Sequence, residues 1–265
     1  MNLLTVKGLV VKTVDLKESD RFINIFTEEM GMVSAYAQGA RSYKSRKMAA
    51  TNLFCYGSFV LMQRADKYWV KEADLIESFF DIRYSIDGLA LASYFVDVLS
   101  YVAVTVPERE LLRLTLNSLY AIASQRYDFE KIKAAFEIRA LSIIGYMPDV
   151  IACKGCGRQS GDFFFDVIGG GIECADCHSS APAIEHVNLD FTEGARVICI
   201  LTESAKIALS YCIHSPVEKI FSFKIPDEDM HLFSRACEEY LLNQLERSFK
   251  TLEFYHSVKP KKRSL

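Results

Sequence analysis

Residues Arg21 to Gln38 read RFINIFTEEMGMVSAYAQ, and this stretch decides the fold of the N-terminal part of the chain. In RFINIFTE (Arg21 to Glu28) apolar and polar residues alternate by twos, and GMVSAYAQ (Gly31 to Gln38) repeats the pattern more loosely. A period of two sends successive side chains to opposite faces of a strand, so each segment presents one face to a core. Working outward, Val6 to Val14 is apolar with scattered polar residues. SFVLMQR (Ser58 to Arg64) and YWVKEADLIE (Tyr68 to Glu77) follow, joined by a short turn at Asp66–Lys67. Gly31 and Gly57 fit strand entries. Five short strands rich in Val, Ile and aromatics predict a small barrel or sandwich. Five strands in about 75 residues is the size of an OB-fold barrel, although periodicity alone does not separate that from an SH3-like barrel.

Beyond residue 80 the period changes. Residues 86–104 predict a buried helix. PERELLRLTLNSLYAIASQ (Pro107 to Gln125) carries Pro and acids in its first turn, which suits a helix start. DFEKIKAAFEIRALSIIGY (Asp128 to Tyr146) opens on an N-cap-type Asp and ends on Gly145, with Pro148 beyond. After a cysteine-bearing segment, two more helices are expected, at about Thr192 to Cys212 and Asp227 to Phe249. The fold class is α+β. A five-stranded barrel, its OB or SH3-like type left open by periodicity, is expected over 1–78. A helical domain spans 79–255 and carries a four-cysteine module at about 150–180. A basic tail spans 256–265.

The chain has 265 residues and a formal net charge of −3, with half of its residues hydrophobic. It can therefore bury a substantial core, and it is not a polycation as a whole. The apolar start MNLLTVKGLVVK is interrupted by Lys7 and Lys12 and reads as a strand rather than a signal peptide. Leu89 to Val106 approaches membrane-spanning length, but Asp97 at its middle favours a buried helix. With no export signal, a cytoplasmic protein without membrane contact is expected. Its eight cysteines are then thiols or metal ligands rather than disulfides.

Four of those cysteines are patterned. Cys153-Lys-Gly-Cys156 is followed after 17 residues by Cys174-Ala-Asp-Cys177. Each CxxC aims two sulfurs at one point, and two such pairs at this spacing read as a zinc ribbon. The intervening FFFDVIGGGIE predicts a hairpin turning at Gly169–Gly171, which returns the second pair to the first. Four thiolates would close a tetrahedral shell around a structural Zn2+, with no open position for catalysis. A redox role for one pair and a degenerate, metal-free site are the rivals, and no βαβ pattern surrounds either CxxC. His178 is a further potential ligand, but four sulfurs suffice. Cys55, Cys199, Cys212 and Cys237 lie in apolar segments and read as core residues.

Charge is segregated. From Met30 to Ala65 there is no Asp or Glu, while Arg41, Lys44, Arg46, Lys47 and Arg64 give this stretch a local charge of +5. Lys259, Lys261, Lys262 and Arg263 make the tail basic, which leaves −12 for the rest of the chain. GARSYKSRK (Gly39 to Lys47) has the Gly, Ser and Lys content of a loop, and Tyr43 among its cations could stack on a base. The alternative is a solvated basic loop with no partner. Chemistry-bearing motifs are missing: there is no GxxxxGK[ST], HExxH, GxSxG or GxGxxG. The five histidines, at 178, 186, 214, 231 and 256, are scattered, so no catalytic residue is assigned.

Two stretches carry a family resemblance. GLVVKTVDLKESDRFINIFTEEMGMVSAYAQGARSYKSR (Gly8 to Arg46) and FEIRALSIIGYMPDVIACKGCG (Phe136 to Gly157) resemble the RecO family of bacterial recombination-repair proteins. Ile144 stands where a Leu is common. The resemblance implies an N-terminal OB fold, a helical C-terminal domain with zinc, and function without nucleotide hydrolysis. It implies binding to single-stranded and duplex DNA, annealing of complementary strands, and joint action with RecR in helping RecA replace single-strand-binding protein. It also implies binding of that protein's acidic C-terminal tail in the helical domain, and a nucleoid-associated location. Arg41, Lys44, Arg46 and Lys47 match the family's basic stretch and are the DNA-contact candidates. The residues alone do not choose DNA over RNA. An RNA-binding or ribosome-associated zinc-ribbon protein therefore remains the alternative, with an uncharacterised hydrolase as a third class.

Overall fold

The structure is a computed structural model that describes residues 2–103, 108–179 and 197–259. Five strands form a closed barrel: β1 (Asn2–Leu16), β2 (Asp20–Thr27), β3 (Gly31–Ala37), β4 (Tyr56–Arg64) and β5 (Lys67–Glu77). The order around the barrel is β1-β2-β3-β5-β4, with β1 closing on β4. All neighbours are antiparallel except β3 and β5, which are parallel. This is the OB arrangement, and it resolves the choice that periodicity left open. A parallel neighbour needs a crossover. Here it runs through β4 and through the long connection after β3, which includes the short helix α1 (Lys47–Ala50). The basic segment lies on that connection, so its position is set by barrel closure.

Inward residues of the alternation form the barrel core: Val6, Val10, Ile23, Ile25, Val33, Ala35, Phe59, Leu61 and Val70 are all buried. Gly8 is needed for close strand approach. A Cβ there would meet Ile25 Cγ2 at 2.5 Å and the Phe26 carbonyl oxygen at 2.7 Å.

By compactness the chain falls into two units. One runs to Arg126 and includes the C-terminal stretch from Phe249; the other is Tyr127–Ser248. The first unit holds three helices together with the barrel: α2 (Ile86–Val102), α3 (Arg109–Ser124) and the last helix, Lys250–Val258. Ser85 caps α2 by accepting from the Gly88 N–H at 3.0 Å. Asp97, the charge in the middle of α2, accepts from the Thr251 hydroxyl at 2.9 Å. Tyr94 and Tyr101 both set their rings edge-on to Phe249. Among the described residues no helix is long and apolar enough to cross a membrane.

The second unit opens with α4 (Phe129–Ile143), capped by Asp128, whose carboxylate accepts from the Glu130 N–H at 2.7 Å. Strands β6 (Asp149–Cys153), β7 (Phe163–Asp166) and β8 (Gly171–Cys174), the short helix α5 (Ala175–Ser179) and β9 (Ile198–Leu201) follow. The sheet order is β6-β8-β7-β9. Then come α6 (Glu203–His214) and α7 (Asp227–Gln244), with α8 (Lys250–Val258) belonging to the first unit.

Two sequence expectations need correction. The helix expected from Thr192 to Cys212 starts only at Glu203, because Ile198–Leu201 is a strand paired with β7, and Thr202 caps the helix by accepting from Ala205 N–H. Residues 192–196 lie outside the described residues. The helix expected to reach Phe249 ends at Gln244, where Glu246 turns to a φ of 49° before α8 begins. In the interior, the Lys133 ammonium of α4 sits 3.0 Å from Glu137 one turn on and 2.6 Å from Glu238 of α7.

Candidate metal centre and nucleic-acid surface

The two CxxC pairs converge. One ligand atom from each of Cys153, Cys156, Cys174 and Cys177 lies within 4.8 Å of all the others. A tetrahedral zinc with Zn–S bonds of about 2.3 Å needs its sulfurs roughly 3.8 Å apart. The Cys156 and Cys174 sulfurs are 3.6 Å apart, so the donor set fits such an ion with little adjustment.

The local fold explains the convergence. Cys153 ends β6 and Cys174 ends β8, neighbouring strands of one sheet, and α5 turns Cys177 back toward them. The hairpin between β7 and β8 turns through Gly169 and Gly170, as the sequence predicted, with Gly170 at a φ of 63°. The knuckles are tight. A Cβ on Gly155 would lie 2.8 Å from the Cys177 sulfur, so the Gly in Cys-Lys-Gly-Cys is a steric requirement. The Cys174 N–H donates to the Cys153 sulfur at 3.3 Å. That contact, followed by the Cys156 and Gly155 N–H groups, draws the Cys153 thiol down to about 6 against the cost of burial. Cys177 is pushed up to about 12, because Cys156, Cys174 and Cys153 all draw on its proton. Four adjacent thiols cannot all ionise unaided; a divalent cation removes that conflict.

Arg158 pairs with Asp176 at 2.7 Å across the two knuckles, a contact that spacing alone did not reveal. His178 stacks on Phe164 with ring centroids 4.1 Å apart, and its Nδ1 lies 3.3 Å from Glu173. Both contacts turn it to structural use. Cys55, Cys199, Cys212 and Cys237 are buried, as the sequence implied.

The second candidate surface is the basic segment. Asp20 anchors its start, accepting from the Gly39 N–H at 2.8 Å and from the Tyr36 hydroxyl. The hydroxyl is the larger cause, the N–H the next, of a carboxyl held below its ordinary range. After turns and bends through residues 39–46 the chain enters α1 at Lys47.

The four predicted cations are not equivalent. Lys44 and Arg46 are exposed, and the Arg46 side chain makes no hydrogen bond or ion pair to any described residue. The Lys44 ammonium sits 5.4 Å from the ring centroid of Tyr43, which is 81% exposed. Arg41 lies 3.3 Å from Asp15, a carboxylate that it shares with Arg21. The Lys47 ammonium donates to the Gln38 carbonyl at 2.6 Å, and burial lowers its pKa. Lys47 thus fastens the connection to the barrel. The sequence could not sort these roles, because Asp15 and the Val70 carbonyl, 3.4 Å from the Lys47 ammonium, meet the segment only once the barrel closes. The tail cations Lys261, Lys262 and Arg263 lie outside the described residues.

Residues 1–79 match the family model for the recombination protein O N terminus, and residues 83–253 match that for its C terminus. The DNA repair protein RecO of Acetivibrio thermocellus is 36% identical over 260 residues, covering 97% of this chain and 98% of the relative. That of Caldicellulosiruptor saccharolyticus is 27% identical over 261 residues, covering 98% of this chain and all of the relative.

Proposed function

Because the chain belongs to the RecO family of DNA repair and recombination proteins, we propose that it binds single-stranded DNA on its barrel and anneals complementary strands. The family consists of non-enzymatic DNA repair and recombination mediators, and membership supports this reading over the RNA-binding and hydrolase alternatives. In this reading the chain acts with RecR to help RecA onto DNA covered by single-strand-binding protein. The helical part, roughly residues 80–250, takes that protein's acidic tail. Zn2+ is the structural ion of the four-cysteine site, and its work is to hold two knuckles together.

The observation that carries the reading is the acid-free stretch from Met30 to Ala65, bearing Lys44 and Arg46 exposed on a barrel of OB topology. Phosphates attract such cations without regard to base identity. Arg41 exchanges Asp15 for a phosphate when DNA arrives. Lys47 adds charge while still bracing the connection. Annealing of complementary oligonucleotides coated with cognate single-strand-binding protein tests the whole reading, which fails if the chain does not accelerate it.

The contact residues have a sharper signature. Each phosphate neutralised on a single strand contributes about −0.7 to the slope of log affinity against log salt. Replacing Arg41, Lys44 and Arg46 together with Ala should therefore flatten the slope by about 2. Metal content should not change. An unchanged slope in the triple variant would place the DNA contacts elsewhere, with the basic tail as the next candidate.

A further inference from the structure

Strand register assembles a row of aromatic residues that the sequence scatters. Phe22 of β2 pairs with Tyr36 of β3, and Tyr36 pairs with Trp69 of β5. Their strand neighbours Ile23, Ala35, Ala37 and Val70 belong to the barrel core. By alternation the three aromatic side chains stand on the outer face. Phe22 is 37% exposed, and Tyr36 and Trp69 are half-buried. The same row continues from Trp69 to Met62 of β4 and Leu3 of β1.

The surroundings of the row suit an anion with flat apolar appendages. The Arg64 guanidinium lies 5.9 Å from the centre of the Trp69 ring. Lys47, at the end of the basic segment, reaches the carbonyl of Val70, the residue after Trp69, at 3.4 Å. The basic segment therefore abuts one end of the aromatic row. The acids beside the row on β1 and β2 are engaged: Asp15 by Arg21 and Arg41, and Asp20 by the Tyr36 hydroxyl and the Gly39 N–H. Tyr36 is thereby held in place before any ligand arrives.

We propose that Phe22, Tyr36 and Trp69 form a base-stacking platform on which single-stranded DNA lays successive bases while the basic segment holds its phosphates. The inference rests on the proposed single-strand binding at the barrel and adds what that binding reads. Aromatic faces accept any base, because every base offers a π-face. The platform thus favours unpaired strands over duplex, whose bases are already stacked. This also gives annealing a physical basis, since a strand laid out by stacking keeps its pairing edges free.

Trp69 is the chain's single tryptophan, so its fluorescence reports on the platform directly. The full-length protein is titrated with an oligothymidylate and with an abasic oligonucleotide of the same length. Binding is followed both by Trp69 emission and by anisotropy of a label on the DNA. The expected result is quenching of Trp69 by oligothymidylate, little quenching by the abasic strand, and roughly tenfold weaker binding of the abasic strand. Phe22→Ala, at an exposed position, and Trp69→Ala should each weaken oligothymidylate binding while leaving abasic binding unchanged; Trp69→Phe should retain most of it. Equal affinities with no quenching would overturn the platform and leave phosphate binding standing. Failure of both strands to bind would overturn the barrel reading and the platform with it.

Discussion

Replacing Cys174 with serine is expected to strip the chain of a bound zinc ion and to unfold the sheet that surrounds it. Cys174 is fully buried at the end of β8, where it pairs with Phe163 of β7 and its N–H holds the Cys153 sulfur. A serine oxygen there cannot complete the set of four thiolates. Structural zinc binding contributes on the order of 10 kcal/mol to folding. A whole domain is stable by only about 5–15 kcal/mol. The site is therefore comparable in size to everything else that holds this small sheet together. Elemental analysis should give one zinc per wild-type chain and none for Cys174→Ser. Thermal unfolding of the variant should show an early transition that chelator treatment reproduces in wild type. The salt dependence of DNA binding should survive in the variant, because the candidate contacts lie on the barrel. A wild-type chain purified with well under one zinc, and indifferent to chelator, would establish a metal-free site instead.

The barrel and the cysteine site were legible because each rests on a short-range signal. Alternation in RFINIFTE and a Gly-rich turn between two CxxC pairs need no knowledge of distant contacts. The errors came where local signals conflict. Val197 to Leu201 is an apolar run that periodicity cannot divide between strand and helix. Its assignment depends on pairing with β7 some 35 residues earlier, as in Phe164↔Ile200. The overlooked cue was Thr202, an N-cap residue immediately before the true helix start. The break after α7 has no Gly or Pro to mark it; Glu246 takes the left-handed conformation instead. Side-chain roles were less legible still. Four cations in nine residues look alike in sequence. Only the folded barrel separates Lys47, held by carbonyls, from Arg46, which faces solvent.

The second large effect concerns a group that sequence reading passes over as an ordinary helical lysine. Lys133 is buried between Glu137 of its own helix and Glu238 of α7. Burial works against its charge, but the two carboxylates outweigh that cost and hold its pKa above the ordinary lysine value. Lys133→Met replaces the ammonium with an apolar chain of similar length and leaves Glu137 fully buried without its cation. Removing one partner of a buried pair typically costs about 3–5 kcal/mol. A loss of that size should appear as faster hydrogen exchange of α4 and α7 amides and as a lower unfolding midpoint at neutral pH. The pH dependence follows from linkage. In wild type the raised lysine pKa gives stability that is present below the unfolded lysine pKa of about 10.4 and is lost as pH rises through the folded value. In the variant the carboxylates beside the lost ammonium no longer gain from its charge, so the penalty is smallest where they are protonated, below the unfolded glutamate pKa of about 4.3, and grows as pH rises above it. The gap between wild type and Lys133→Met should accordingly narrow as the solution is acidified toward that value. Adding Glu137→Gln should recover part of the loss at neutral pH, since an amide needs no counter-ion. A deficit below about 1 kcal/mol that neither narrows in acid nor responds to Glu137→Gln would mean that the trio is solvated and does not join α4 to α7.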